Sequence, residues 1–290
     1  MGSARALSIE PTQDDSILAQ MITRELELRH LASDALFAER KPMVGQLILK
    51  AIDPSRSLLT QEDIRQADID RLPDQIERGL LDTVYQLYGL SLTRSEERLD
   101  YWLDILNQGV GSIDLTDNEE LRVRNKETPW VTDLTSLKDL WRKQLENQAI
   151  GLLLADRTEN ETYKALTRRY NSQKNRIGQT RPDDIFAGVI NAYAGAYDPH
   201  TSYLPPADSE TFNINMSLSL QGIGAVLQSE DEFTKVVSLI PGGPAEMDGR
   251  LKPADRILSI AQGSEPFEDV VGWRLDEVVQ KIRGPKGSQV

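Results

Sequence analysis

Asp198-Pro199-His200-Thr201-Ser202-Tyr203-Leu204-Pro205-Pro206, and a few residues on Met216-Ser217-Leu218-Ser219-Leu220-Gln221-Gly222-Ile223-Gly224-Ala225-Val226, divide this 290-residue chain into two kinds of structure. Pro199 disfavours the helical conformation at Asp198, and Pro205-Pro206 keeps the exit extended, so a helical region ends here. The second run alternates apolar and polar residues, places two glycines around one isoleucine and returns to strand formers. It reads as a strand entering a turn of bare backbone.

Upstream, the apolar spacing is helical. Ile17, Leu18, Met21, Ile22, Leu26 and Leu28 predict an amphipathic helix over 14–33 with His30 at its end, a structural or exposed side chain. A second helix, about 42–52, stops at Asp53-Pro54. Thr60-Gln61-Glu62-Asp63 is a capping-box variant that opens a third. The pattern from Asp74 to Asn107 predicts one long helix, or two with a break near Gly89 to Thr93. Residues 109–130 read as loop, with the acidic run Asp117 to Glu120 as a solvated face. Helix returns from Leu134 to Leu145, from Glu159 to Ile177, and after Thr180, where Pro182 in the first turn and Asp183 and Asp184 suit the positive end of the dipole. Ala51 to Leu59 echoes Ala196 to Leu204, each with Asp-Pro after a helix, which implies a shared stop-and-turn device. His200 has no nucleophile beside it, and its expected task is to hydrogen-bond the turn.

Downstream of Phe212 the period becomes strand-like. Gly222 to Gln228 and Lys235 to Ile240 predict paired strands joined by Ser229 to Phe233. Pro241-Gly242-Gly243-Pro244-Ala245 turns into a short helix, 255–260 is another strand, and Leu275, Val278, Val279 and Ile282 mark a helix over 273–283. The fold class is therefore α+β: an all-helical domain over 1–212, then a small, partly β domain over 213–290.

Composition narrows the partners. Forty-six acids against 33 Lys and Arg give a net charge of -13, which argues against nucleic acid and against direct binding to anionic lipid. There is no cysteine, so neither disulfides nor thiol chemistry enter. No apolar run approaches the ~20 residues of a membrane helix, and Met1 to Arg5 lacks the apolar core of a secretory signal.

Asp198 to Leu204, Ser217 to Ala225 and Gly242-Gly243-Pro244-Ala245 together resemble the bacterial C-terminal-processing, or tail-specific, serine proteases, in the long periplasmic form whose helical domain precedes a PDZ domain. The resemblance covers almost the whole chain. It implies an endoprotease that recognises apolar C-terminal tails of proteins, a periplasmic location with the signal peptide not present in this chain, no cofactor or metal, and a helical domain that docks a helical-repeat lipoprotein adaptor. The family's catalytic serine and general-base lysine lie downstream of the PDZ domain. The expectation is thus that no catalytic residue is in this chain, and that the PDZ domain is incomplete at its last strand.

A PDZ groove gives the glycines a task. A terminal carboxylate is held by backbone amides that point one way, in conformations glycine enters cheaply, while the peptide adds as a strand. The candidate peptide-binding residues are Leu220, Gln221, Gly222, Ile223, Gly224, Ala225 and Val226 on one side, and Leu275, Val279 and Ile282 on the helix opposite. Taken alone, Gly222-Ile223-Gly224 also fits a plain hairpin turn. A dinucleotide loop needs a third glycine and a following helix, and Ala225-Val226-Leu227 continues as strand. Two functional classes follow: the recognition part of a tail-specific protease, or a stand-alone PDZ module that scaffolds without cleaving.

Overall fold

The computed structural model describes residues 9–31, 34–116, 119–122, 128–206, 209, 222–284 and 287–290. The chain divides into two compact units, Met1–Tyr203 and Leu204–Val290. The first is helical: α1 (Gln13–Arg29), α2 (Asp34–Arg40), α3 (Met43–Ile52), α4 (Gln61–Ala67), a 3-10 turn (Ile69–Arg71), α5 (Leu72–Glu77), α6 (Asp82–Asn107), α7 (Leu134–Leu153), α8 (Glu159–Gly178) and α9 (Pro182–Tyr197).

Three of these helices open on the same device. The hydroxyls of Thr12, Thr60 and Thr158 accept from the amides of Asp15, Asp63 and Glu161, and the acids accept in return from the threonine amides. Each box satisfies two donors that the first helical turn leaves orphaned. In α1 the packed stripe is Leu18, Ala19, Ile22, Thr23 and Leu26, while Ile17, Met21 and Leu28 face solvent, so the buried face is narrower than their spacing suggests.

Of the two readings of Asp74 to Asn107, the break near Gly89 to Thr93 is the one that fails: α6 runs unbroken from Asp82 to Asn107. The interruption falls earlier. Gly79 has φ +70°, its amide donates to Ile76 O at 2.9 Å, and the Leu80 amide reaches back to Gln75 O at 2.8 Å, which is a Schellman stop for α5. A glycine inside a helix costs only about 1 kcal/mol, whereas one at a positive φ ends it.

Because α6 is long, it serves two cores. Val84, Tyr85 and Leu87 join α3 and α9 residues such as Ile48, Leu49, Val189 and Tyr193 in one cluster. Leu99, Trp102, Leu103 and Leu106 join α7 and α8 residues, among them Leu137, Trp141, Leu166 and Tyr170, in the other. Both Asp-Pro turns share one hydrogen-bond pattern: the amides of Asp53 and Asp198 close their helices on Leu49 O and Ala194 O, and the amides of Arg56 and Thr201 donate back to the Asp carbonyls at 3.0 Å. The reading of His200 needs correcting. Its ring is exposed, and its bond to the turn runs from its backbone amide to Asp198 Oδ1 at 2.8 Å. The imidazole that braces the turn is that of His30, whose Nε2 lies 2.8 Å from Thr201 Oγ1 with the ring tilted against Tyr197.

The second unit is small. Strands β1 (Ala225–Glu230), β2 (Phe233–Leu239) and β3 (Arg256–Ile257) form an antiparallel sheet in that order, and β4 (Ser259–Ile260) pairs with β5 (Glu268–Asp269). Two short helices complete it, α10 (Pro244–Asp248) and α11 (Leu275–Ile282). The β1–β2 hairpin is tighter than expected: Glu230 pairs with Phe233, and Asp231 at φ 55° makes the turn. The strand expected over Met216 to Leu220 lies outside the described residues.

Candidate peptide-binding groove

Gly222-Ile223-Gly224 leads into β1, and its carbonyls are committed inward. Ile223 O accepts from the Ala245 amide at 2.8 Å, and Gly224 O accepts from the Ile240 amide at 2.8 Å. The amides of Gly222, Ile223 and Gly224 donate to no group among the described residues. Polar hydrogens without internal acceptors, gathered on successive residues, make an anion-binding concavity.

Why both glycine motifs occur together is visible here. Gly224 is buried at φ +74°, and a Cβ on it would stand 3.1 Å from Gly243 Cα and 3.4 Å from Pro244 Cδ. A Cβ on Gly243 would meet Ile240 O at 2.9 Å. The two loops approach backbone to backbone, and any side chain would separate them. The Glu246 carboxylate then accepts from the Gly242 amide at 2.7 Å and fixes the turn before α10.

Among the described residues β1 is the edge strand of its sheet, and α11 packs beside it. An edge strand presents unpaired backbone groups along its free side, which suits strand addition. Ile223 and Leu227 pack on the core of Ile260, Val270, Val278 and Ile282, while Val226 turns outward at 47% exposure. On α11, Leu275 and Val279 are half-buried and one turn apart; Ile282, 8% exposed, belongs to the core with Val278 and stands behind the groove. Leu220 and Gln221 lie outside the described residues. Leu227 was missed, although the two-residue period from Ala225 marks it as inward-facing.

Charged side chains hold these elements. The Lys235 and Arg256 hydrogen bonds keep the Glu230 carboxyl below the usual carboxylate range and tie β1, β2 and β3. Lys281 pairs with Glu268 at 2.7 Å, and the Gln262 amide donates to the carbonyls of Lys281 and Arg283 at the end of α11. Among the described residues no group of three His, Asp or Glu side chains is placed to hold a metal ion, and no helix is long and apolar enough to cross a membrane.

A helical domain followed by a small domain with a glycine loop, an edge strand and a helix beside it defines a peptide-binding architecture of the PDZ class. Residues 22–207 match the tail specific protease N-terminal domain and 211–290 the PDZ domain. The chain belongs to the tail-specific protease family. It is 34% identical over 288 residues to the tail-specific protease of Haemophilus influenzae, covering 98% of this chain and 41% of that protein. It is 32% identical over 135 residues to the carboxy-terminal processing protease CtpA of Bacillus subtilis, covering 46% of this chain and 28% of that one. The chain thus spans less than half the length of either relative. Among solved structures, the PDZ domain of the carboxy-terminal protease of Vibrio cholerae in complex with peptide is 56% identical, covering 24% of this chain and 70% of that one with a TM-score of 0.24.

Proposed function

We propose that these residues are the N-terminal, substrate-recognition part of a periplasmic tail-specific serine endoprotease, with the helical domain over 1–212 and the PDZ domain over 213–290. The PDZ groove takes the apolar C-terminus of a protein substrate. The terminal carboxylate sits on the amides of Gly222 to Gly224, the tail adds as a strand beside β1, and its apolar side chains meet Ile223, Leu275 and Val279. The single observation that supports this most is the glycine loop, whose carbonyls are bonded inward while its amides are not. Cleavage belongs, by family resemblance, to a serine and a general-base lysine in a further domain, to which the bound tail is delivered. The helical domain serves as dock for a helical-repeat lipoprotein adaptor.

The test is fluorescence anisotropy with labelled peptides ending in Val-Ala-Ala or in Val-Ala-Asp. The apolar tail is expected to bind at least ten times more tightly, since an aspartate side chain loses its hydration on entering the pocket between Ile223 and Val279. Both peptides should remain intact after incubation with this chain alone. Equal affinity for the two tails overturns the tail-recognition reading, and serine-reagent-sensitive cleavage overturns the assignment of catalysis to another domain.

A further inference from the structure

The solvent side of α1 repeats apolar residues at the spacing of a helix-pair seam. Ile17, Met21 and Leu28 lie on it, Arg24 holds the position between the last two, and Leu31 follows just past the His30 C-cap, so the steps alternate between four and three residues. The helix packs its other side, Leu18, Ala19, Ile22, Thr23 and Leu26, on the core. Exposure rises along the seam, from 47% at Ile17 through 59% at Met21 and 66% at Leu28 to 102% at Leu31. Arg24 and Glu27 are both exposed, and neither has an ion pair among the described residues, whereas Glu25 between them is held by Arg29 at 2.9 Å.

We infer that this side of α1 binds the same side of α1 in a second copy of the chain, antiparallel about a two-fold axis near Arg24. Reversal makes the face complementary to itself. It sets Ile17 and Met21 of one copy against Leu31 and Leu28 of the other, and it brings each Arg24 within reach of the other copy's Glu27, so two ion pairs form at once. A parallel pair would instead face Arg24 with Arg24. The four apolar side chains expose roughly 550 Å² on one copy, so a symmetric pair covers about 1,100 Å² of apolar surface, and the stems of Gln20, Arg24 and Glu27 along the rim bring the total to the lower end of a specific interface. A bilayer suits this helix less well, because Asp14, Asp15, Glu25 and Glu27 outnumber its two arginines and anionic headgroups repel that excess. The net charge of -13 on each copy opposes association at long range, but physiological salt screens charges beyond about 8 Å.

The experiment is sedimentation equilibrium of the full chain at physiological salt, over protein concentrations from about 1 to about 200 μM, where an interface of this size is expected to give a reversible dimer. The variant Met21→Glu, Leu28→Glu should associate at least about a hundredfold more weakly, because the two-fold axis repeats each buried charge. A control, Met43→Glu, Leu154→Glu, makes the same chemical changes at exposed positions at the start of α3 and the end of α7, and should dimerise nearly as the parent does. Arg24→Glu sets like charges against the other copy's Glu27 and should weaken the dimer about tenfold, and adding Glu27→Arg to it should restore most of the loss. Circular dichroism checks that each variant keeps the helical fold. A monomer over the whole concentration range, a dimer that survives Met21→Glu with Leu28→Glu, equal loss in the control, or a charge swap that restores nothing each overturns the proposal.

Discussion

Asp53 is 1% exposed, and its carboxylate accepts from the amides of Ser57, Leu58 and Leu59 and from the indole of Trp130. Arg98 lies in the same buried node, where its Nη1 donates to Ser57 Oγ at 3.1 Å; burial pushes its pKa down and the charge of Asp53 pushes it back up. Removing the carboxylate strands three amides, an indole and a cation together. We expect Asp53→Ala to cost about 3–5 kcal/mol, read as a lower urea midpoint of the helical unit, because uncompensated buried donors and charges forfeit their full desolvation energy. In the other unit Gly224→Ala should cost about 1–3 kcal/mol, since the new Cβ meets Gly243 at a backbone conformation that L residues rarely adopt. A protein as stable after Gly224→Ala as before it would show that the two loops do not need their close approach.

At the scale of elements, α6 and α9 meet closely at one glycine, Gly188 of α9 against Tyr88 of α6. A Cβ on Gly188 would lie 2.6 Å from the Tyr88 hydroxyl, a buried group with no partner among the described residues, whose pKa burial pushes up to about 12. Gly188→Ala alone should destabilise by about 1–3 kcal/mol through overpacking. Tyr88→Phe removes the opposing oxygen together with its unmet hydrogen bond, so the double variant should recover most of the loss. Urea unfolding of the two single variants and the pair measures the coupling, and simple additivity would contradict this account of the contact.

Over the whole molecule the two units differ in what holds them. The helical unit has two clusters of buried apolar side chains bridged by α6, while the small unit rests on Ile260, Val270, Val278, Ile282 and their neighbours. Amide hydrogen exchange should therefore find markedly weaker protection in β1, β2 and α11 than in α6 and α9; equal protection would contradict it. The order of elements was legible because apolar period and punctuation are local: Thr60, the two Asp-Pro turns and Pro182 fall where the elements begin or end. What escaped was set by tertiary packing. Gly79 and Gly89 look alike in sequence, and only the contact of α1 with Gly79, where a Cβ would meet Ser16 O at 2.5 Å, marks which one turns the chain. Ile282 has the helical spacing of a groove residue and is buried behind Leu275 and Val279 because α11 is rotated toward Val278.

The central claim is that Gly222 to Gly224 hold a free C-terminal carboxylate, and it is tested most directly by changing that group and nothing else. The affinities of one peptide ending in Val-Ala-Ala, as the free acid and as the C-terminal amide, should be compared by anisotropy on the unaltered chain. Charge-assisted hydrogen bonds contribute roughly 1.5–3 kcal/mol each, and ~1.4 kcal/mol is a factor of ten, so the amide should bind at least tenfold more weakly. Equal affinity of acid and amide would show the glycine loop to be only a turn.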